Sequence, residues 1–339
     1  MKDLAWEGVV NAPIGSRPIA GGPSPYQVDL AAGPTPDGRD LHFGPLTFYR
    51  DRSPDGLLPV LFDPEDGGGT AVRLSVQAGS YTGPLFDLAD VVNDRCELRG
   101  PKHPLGSDAW YGFSVRVPAD FPIRPLRCVV AQMKMPYDAS GDGSPALALR
   151  IEDGRWLATV EHLYEPDDQK LGRFLSTPVN GRCASGTPAF DHSNFNKYNG
   201  LTDFQVRALL ATDADDVSSD QRAREFASCT TGVVVERHAP LPGSPIGAGW
   251  TDFVVRALSS GIKNKDGVVE LYAEGELVAR AHGEFGYPST EGEAAQYFKV
   301  GPYRNNDQLW GSGVASLEYR HLRRGQSLSE TLKAVPTVA

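Results

Sequence analysis

Apolar residues in this chain fall into short runs that alternate with polar ones and end at turns. Residues 296–306 show the pattern clearly: Gln-Tyr-Phe-Lys-Val-Gly-Pro-Tyr-Arg-Asn-Asn. In an extended strand, successive side chains point to opposite faces. Tyr297, Lys299, Gly301 and Tyr303 then share one face, and Phe298, Val300 and Pro302 share the other. Similar runs occur at 41–50, 57–62, 70–77, 110–117, 128–135, 146–151, 155–162, 203–211, 252–258, 268–273, 276–281 and 314–322. Glu152-Asp153-Gly154 and Glu274-Gly275 each join two of them as a hairpin. No long stretch carries a 3.6-residue period. Turn-forming residues are plentiful, with 37 glycines and 27 prolines, as many short strands require. The expected fold is all-β: a β-sandwich or jelly roll of two antiparallel sheets.

The same reading divides the chain. Residues 1–40 lack periodicity and read as an irregular arm. Residues 41–325 read as a single domain with insertions near 165–200 and 212–248, and 326–339 as a tail. A short helix is expected within 213–227. The net charge of −10, without a basic stripe, speaks against a nucleic-acid partner. No apolar run is long enough to span a membrane. Residues 1–11 lack the basic, apolar, small-residue order of a signal peptide. Four cysteines are present, and none has the close paired spacing of a zinc site. Cys96 and Cys128 sit in strand-like runs as small core residues, whereas Cys183 and Cys229 bracket an irregular stretch and are candidates for a bridge. The acidic stretches 138–142 and 213–216 lack the ordered oxygen spacing of a calcium loop. No cofactor is expected to be required, and a structural calcium is left open.

Three runs share one design. Arg95, Glu97 and Arg99 face away from Cys96 and Leu98; Gln132 and Lys134 face away from Ala131, Met133 and Met135; Tyr297, Lys299 and Tyr303 face away from Phe298 and Val300. Stacked sheets bury their apolar faces against each other. The polar faces then lie outside. On a curved sheet they line a concave groove, with Gly301 leaving space between the phenols and the ammonium.

The three pieces, Arg95-Cys-Glu-Leu-Arg99, Gln132-Met-Lys134 and Tyr297-Phe-Lys-Val-Gly-Pro-Tyr303, together resemble the motifs of jelly-roll polysaccharide lyases. Alginate lyases of this fold resemble the chain in all three. Glucuronan lyases and the heparin lyase I type resemble it in layout and in the Lys-x-x-x-Tyr strand. The likeness spans roughly residues 70 to 325, including the Trp250 strand and the hairpin after it. It departs at Lys134, where the alginate lyases carry His in a Gln-x-His motif. The resemblance therefore implies a glucuronate-containing polymer over alginate.

It also implies β-elimination on a 4-linked uronate. A base removes the C5 proton, the substrate carboxylate is neutralised by fixed donors, and an acid protonates O4. Gln132, Arg95 and Lys134 are the expected donors, and Tyr303 the proton carrier in one or both roles. A phenol ionises near pH ~10 in water, so a phenolate base needs cations beside it; Lys299, Arg304 and Lys134 are the candidates. Lys299 lies four residues from Tyr303, roughly 13 Å along a strand, which makes it a substrate-binding cation in the same groove. Arg99, Glu97, Arg304 and Tyr297 complete the expected binding set. For a second proton-transfer group, His103 follows the Arg95 run in a Pro-flanked turn and His162 ends the 155–162 run; His42 is a weaker candidate. Arg73, Arg150, Arg207, Arg256 and Arg320 read mostly as solvated, with room for one or two of them in the groove. The expected partner is an anionic polysaccharide met by a monomer in a secreted or periplasmic setting. A glycoside hydrolase needs two carboxylates flanking the bond, and no run supplies them. A non-catalytic carbohydrate-binding module needs the groove but not Tyr303.

Overall fold

Runs with one apolar face must bury that face, and this chain does so by stacking two antiparallel sheets. The computed structural model describes residues 23–38, 40–49, 57–77, 93–124, 127–134, 136–138, 141–142, 145–164, 204–213, 233–258, 267–283, 295–305 and 313–332. Its first strands are β1 (Tyr26–Gln27), β2 (Thr35–Asp37), β3 (Asp40–Phe43), β4 (Leu46–Phe48), β5 (Val60–Phe62), β6 (Ala71–Gln77), β7 (Asn93–Arg95), β8 (Leu98–Arg99), β9 (His103–Pro104), β10 (Asp108–Arg116) and β11 (Cys128–Lys134). They are followed by β12 (Pro136–Asp138), β13 (Gly141–Asp142), β14 (Leu147–Glu152), β15 (Arg155–Tyr164), β16 (Phe204–Thr212), β17 (Val233–Arg237), β18 (Trp250–Leu258), β19 (Gly267–Ala273), β20 (Glu276–Gly283), β21 (Ala295–Asn305) and β22 (Val314–Gly325). Helix among the described residues is limited to a 3-10 turn at Leu30–Ala32 and to α1 (Leu328–Thr331).

The first sheet runs β17-β20-β19-β18-β10-β22-β6-β5, with β1 against β22. The second runs β16-β15-β14-β11-β21-β8-β4-β3-β2, with β7 and β9 also paired to β21. Strands β12 and β13 pair separately. The core lies between the two large sheets. Tyr111, Phe113 and Val115 of β10 meet Phe298 and Val300 of β21 there. The Tyr111 and Phe298 rings stack with centroids 4.5 Å apart, and Tyr319 of β22 donates to the Val130 carbonyl of β11 at 2.7 Å. The all-β sandwich expected from the alternation is the observed architecture.

Three local readings change. The 41–50 run is two strands, because Gly44 takes a positive φ of 57° and turns the chain between β3 and β4. The described part of the expected arm holds two strands: β1 pairs with β22 and β2 with β3. The region near 212–248 contributes β17, paired to β20. Cys183, Cys229 and most of the two expected insertions lie outside the described residues, as does most of the expected 213–227 helix.

Strict alternation also fails in β11. Cys128, Val130, Ala131 and Met133 all face the core, which two neighbouring residues of a regular strand cannot do. The register against β14 shifts between Val129 and Ala131. A bulge there resets the side-chain faces, so Gln132 and Lys134 emerge on the polar side together with Val129.

Candidate active site

Strand β21 runs through the middle of the second sheet and collects the three motifs on its two flanks. On one flank, β11 sets Gln132 opposite Lys299, Lys134 opposite Tyr297 and Val129 opposite Tyr303. On the other, β7 sets Arg95 opposite Tyr303 and β8 sets Arg99 opposite Lys299. Residues directly opposite each other share a face. Gln132, Lys299, Arg99, Tyr297, Arg95 and Tyr303 therefore form one patch on the side of β21 away from Phe298 and Val300.

Gly301 is what lets the Arg95–Arg99 segment lie so close. The Cys96 amide donates to the Pro302 carbonyl at 2.9 Å, and the Gly100 amide to the Phe298 carbonyl at 2.8 Å. A Cβ at Gly301 would sit 2.1 Å from the Cys96 carbonyl oxygen, and φ is +136°. Gly301 thus admits a neighbouring backbone, rather than opening space between the phenols and the ammonium.

Glu97 holds the middle of the patch. Its carboxylate accepts from the Gln132 amide nitrogen through Oε1 and pairs with Lys299 Nζ at 3.2 Å through Oε2. Gln132 and Lys299 are only 2% and 3% exposed. An uncompensated carboxylate at this depth would be costly and would repel an anionic ligand; the Lys299 ammonium offsets both effects. The contact with Glu97 also orients the Gln132 amide. One N–H goes to the carboxylate, and Oε1 is buried with no hydrogen-bond partner among the described residues. Glu97 and Lys299 are thus first of all each other's partners.

Tyr303 is half-buried, with the Arg95 guanidinium carbon 4.7 Å from its ring centroid. Positive charge over the π-face is attracted to it. The cation set on Tyr303 is Arg95 rather than Arg304 or Lys134, and Lys299 stands apart from it, as the four-residue spacing suggested. Arg304 turns the other way: its side chain is 0% exposed, on the core face, and Nε pairs with Asp94 at 3.2 Å. One residue beyond Tyr303 on a strand, it cannot share the Tyr303 face, which removes it from the groups able to meet a substrate. Lys134 is half-buried at the end of β11.

The histidines separate. His103 lies between the sheets, 5% exposed. Its Nε2 hydrogen-bonds the Tyr111 hydroxyl, and its Nδ1 lies 3.3 Å from the Gln296 amide. Gln296 is on the β21 face opposite Tyr303, so His103 does not join the patch. His162 sits on β15 in register with Val206; its side chain lies outside the described residues. His42 is on β3, 3.2 Å from the Thr47 hydroxyl.

Burial, joined by the nearby Arg324 charge, lowers the His103 pKa from 6.5 to about 4, against a smaller opposing hydrogen bond at Pro104. The folded state thus holds a neutral imidazole where the unfolded chain binds a proton. Stability is therefore lost as pH falls from about 6.5 towards 4, by roughly 3 kcal/mol in all. His103→Gln is expected to flatten that part of the stability-pH curve measured by urea unfolding; an unchanged slope would assign the acid limb elsewhere.

Arg150 is a residue whose role the alternation hid. It lies on β14 opposite Val129, which is itself opposite Tyr303, so it shares their face. The side chain is buried, with Nη1 donating to the Thr159 hydroxyl. Read as a solvated strand arginine, it is a cation two strands from Tyr303. The available signal was an arginine inside the apolar run 146–151. Arg73, Arg256 and Arg320 instead form ion pairs on the first sheet, with Glu318, Asp108 and Asp66. Among the described residues no three His, Cys, Asp or Glu side chains gather as a metal site.

A family model described as polysaccharide lyase matches residues 60–318. Solved structures similar to the chain include an endo-beta-1,4-glucuronan lyase from Trichoderma reesei, with 13% identity over 82% of this chain and 92% of that one and a TM-score of 0.45. An alginate lyase from Pseudomonas aeruginosa has 13% identity over 82% and 89%, with a TM-score of 0.39. A beta-glucanase catalytic domain from Podospora anserina has 11% identity over 84% and 86%, with a TM-score of 0.38. No curated protein matches the sequence.

Proposed function

The chain belongs to the polysaccharide lyase family, and from that premise we propose that it cleaves a 4-linked, glucuronate-containing polymer by β-elimination, leaving unsaturated uronate ends. The observation that carries the reading is Tyr303 lying under Arg95, on the same face of the sheet as the Gln132–Glu97–Lys299 network. A proton carrier and the groups that stabilise charge thus occupy one face.

The C5 proton of a uronate is weakly acidic while the neighbouring carboxylate is fully charged. Donors fixed in a water-poor site lower the cost of the enolate-like dianion that forms as the proton leaves. Gln132 has a second N–H for this, Arg95 and Arg150 bring full charges, and Glu97 keeps Gln132 in place. Tyr303 as phenolate takes the C5 proton; the C5–H electrons form the C4=C5 double bond; the C4–O4 bond breaks. The proton then passes from Tyr303 to O4. The products are a chain with an unsaturated uronate at its non-reducing end and a chain with a new reducing end. Lys134, standing where alginate lyases carry His, supports glucuronate over alginate, with its ammonium serving the substrate carboxylate.

The test is incubation with glucuronan, alginate and heparin while following ultraviolet absorbance of the unsaturated ends. Glucuronan is expected to give the fastest rise. New reducing ends without absorbance would make the protein a hydrolase, binding without cleavage a carbohydrate-binding module, and preference for alginate would overturn the role given to Lys134.

A further inference from the structure

Among the described residues, the Arg99 side chain meets aromatic rings alone. Its guanidinium carbon lies 4.1 Å from the Tyr297 centroid and 5.5 Å from the Tyr49 centroid. Among the described residues no hydrogen bond or ion pair involves it. The guanidinium lies over both rings, and among the described residues its N–H groups have no hydrogen-bond partner. A planar fork fixed in this way matches a carboxylate through two parallel hydrogen bonds. Because the stack already orders the side chain, little freedom is lost on binding.

Arg99 also begins a line of polar residues leading away from Tyr303. Across the sheet, Lys299 is opposite Arg99, Arg99 opposite Thr47, and Thr47 opposite His42. Tyr49, two residues beyond Thr47, is on the same face and touches Arg99. Only the first member of the line is deeply buried. Lys299 is 3% exposed, Arg99 and Thr47 are intermediate, and the His42 side chain is 35% exposed. Three strand spacings separate Lys299 from His42, roughly 14 Å. One pyranose ring is about as long as one strand spacing, so a polymer crossing the strands meets a new polar side chain with each sugar. The line ends at an acidic edge: the Asp37 carboxylate, 85% exposed, lies 3.6 Å from His42 Nε2.

We propose that Arg99, Tyr49, Thr47 and His42 form a distal subsite for the same uronate chain, in which Arg99 clamps the carboxylate of a sugar next to the one being cleaved. The β3–β4 hairpin then carries the neighbouring units outward, and Asp37 limits the site by repelling a further carboxylate. This inference rests on the uronate reading above, since it needs an anionic chain already held at Tyr303.

Calorimetric titration with oligoglucuronates of increasing length tests it, in a Tyr303→Phe background that prevents turnover. Affinity is expected to climb as units are added and then level off. Adding Tyr49→Ala should weaken binding of the longest oligomer about tenfold and flatten the climb. Thr47→Glu, which sets a carboxylate in the path at a partly exposed position, should do the same and carries the test if Tyr49→Ala fails to fold. Arg99→Lys keeps the charge but loses the fork, and is expected to behave like Tyr49→Ala. A climb with length that Tyr49→Ala and Thr47→Glu both leave intact would overturn the subsite, and an Arg99→Lys protein binding like its parent would overturn the clamp. If the native protein forms no unsaturated product while the length dependence and its loss are still seen, the subsite stands and the elimination reading falls. No binding of any oligomer removes both.

Discussion

Tyr303→Phe is expected to lower kcat on the preferred uronate polymer by about 10²–10⁴-fold, the usual weight of a positioned acid or base. The substitution removes one oxygen. Among the described residues that hydroxyl makes no hydrogen bond that the substitution would break. The ring, half-buried beneath Arg95, stays in place, and with it the cation above. Unfolding in urea should therefore be unchanged while initial rates of unsaturated product collapse. Binding of polymer to the variant should survive, because Gln132, Lys299 and Arg99 are untouched. Full activity in the Tyr303→Phe variant would take Tyr303 out of the reaction and leave Arg95 and Gln132 to serve some other proton carrier.

Asp94→Ala is expected to cost about 3–5 kcal/mol of folding stability, through a different mechanism. Both side chains of the Asp94–Arg304 pair are 0% exposed. Removing the carboxylate takes this counter-charge from a buried guanidinium, and a guanidinium cannot shed its proton to escape. The urea midpoint of Asp94→Ala should fall sharply. Replacing both partners together, as Asp94→Leu with Arg304→Met, should recover much of the loss, since apolar residues of similar size carry no uncompensated charge. If the single variant unfolds at the native midpoint, the pair is not the anchor that holds β7 against β21. Tyr303 and Arg304 are neighbours in sequence, yet one is assigned to chemistry and the other to stability. The pleat of the strand separates them.

Much of this arrangement was legible in residue order. The period of two placed Tyr297, Lys299 and Tyr303 on one face of β21 and Phe298 and Val300 on the other, because a strand leaves side chains no third direction. It separated Arg95, Glu97 and Arg99 from Cys96 and Leu98 in the same way, and the Asp-Gly and Glu-Gly pairs marked the β14–β15 and β19–β20 hairpins. What alternation could not state is which strand lies beside which. Pairing β7 and β8 with β21 joins residues some 200 positions apart in the chain. Such a choice depends on how all the apolar faces close a single core, not on any local pattern. That choice puts Glu97 between Gln132 and Lys299, sets Arg95 over Tyr303, and brings the Arg99 guanidinium over the rings of Tyr297 and Tyr49. The bulge in β11 and the backbone crossing at Gly301 arise in the same way, as adjustments between neighbours. The depth of His103 and Arg150 was not legible for one reason: burial belongs to the layer a side chain enters, and a strand read alone does not reveal what is stacked upon it.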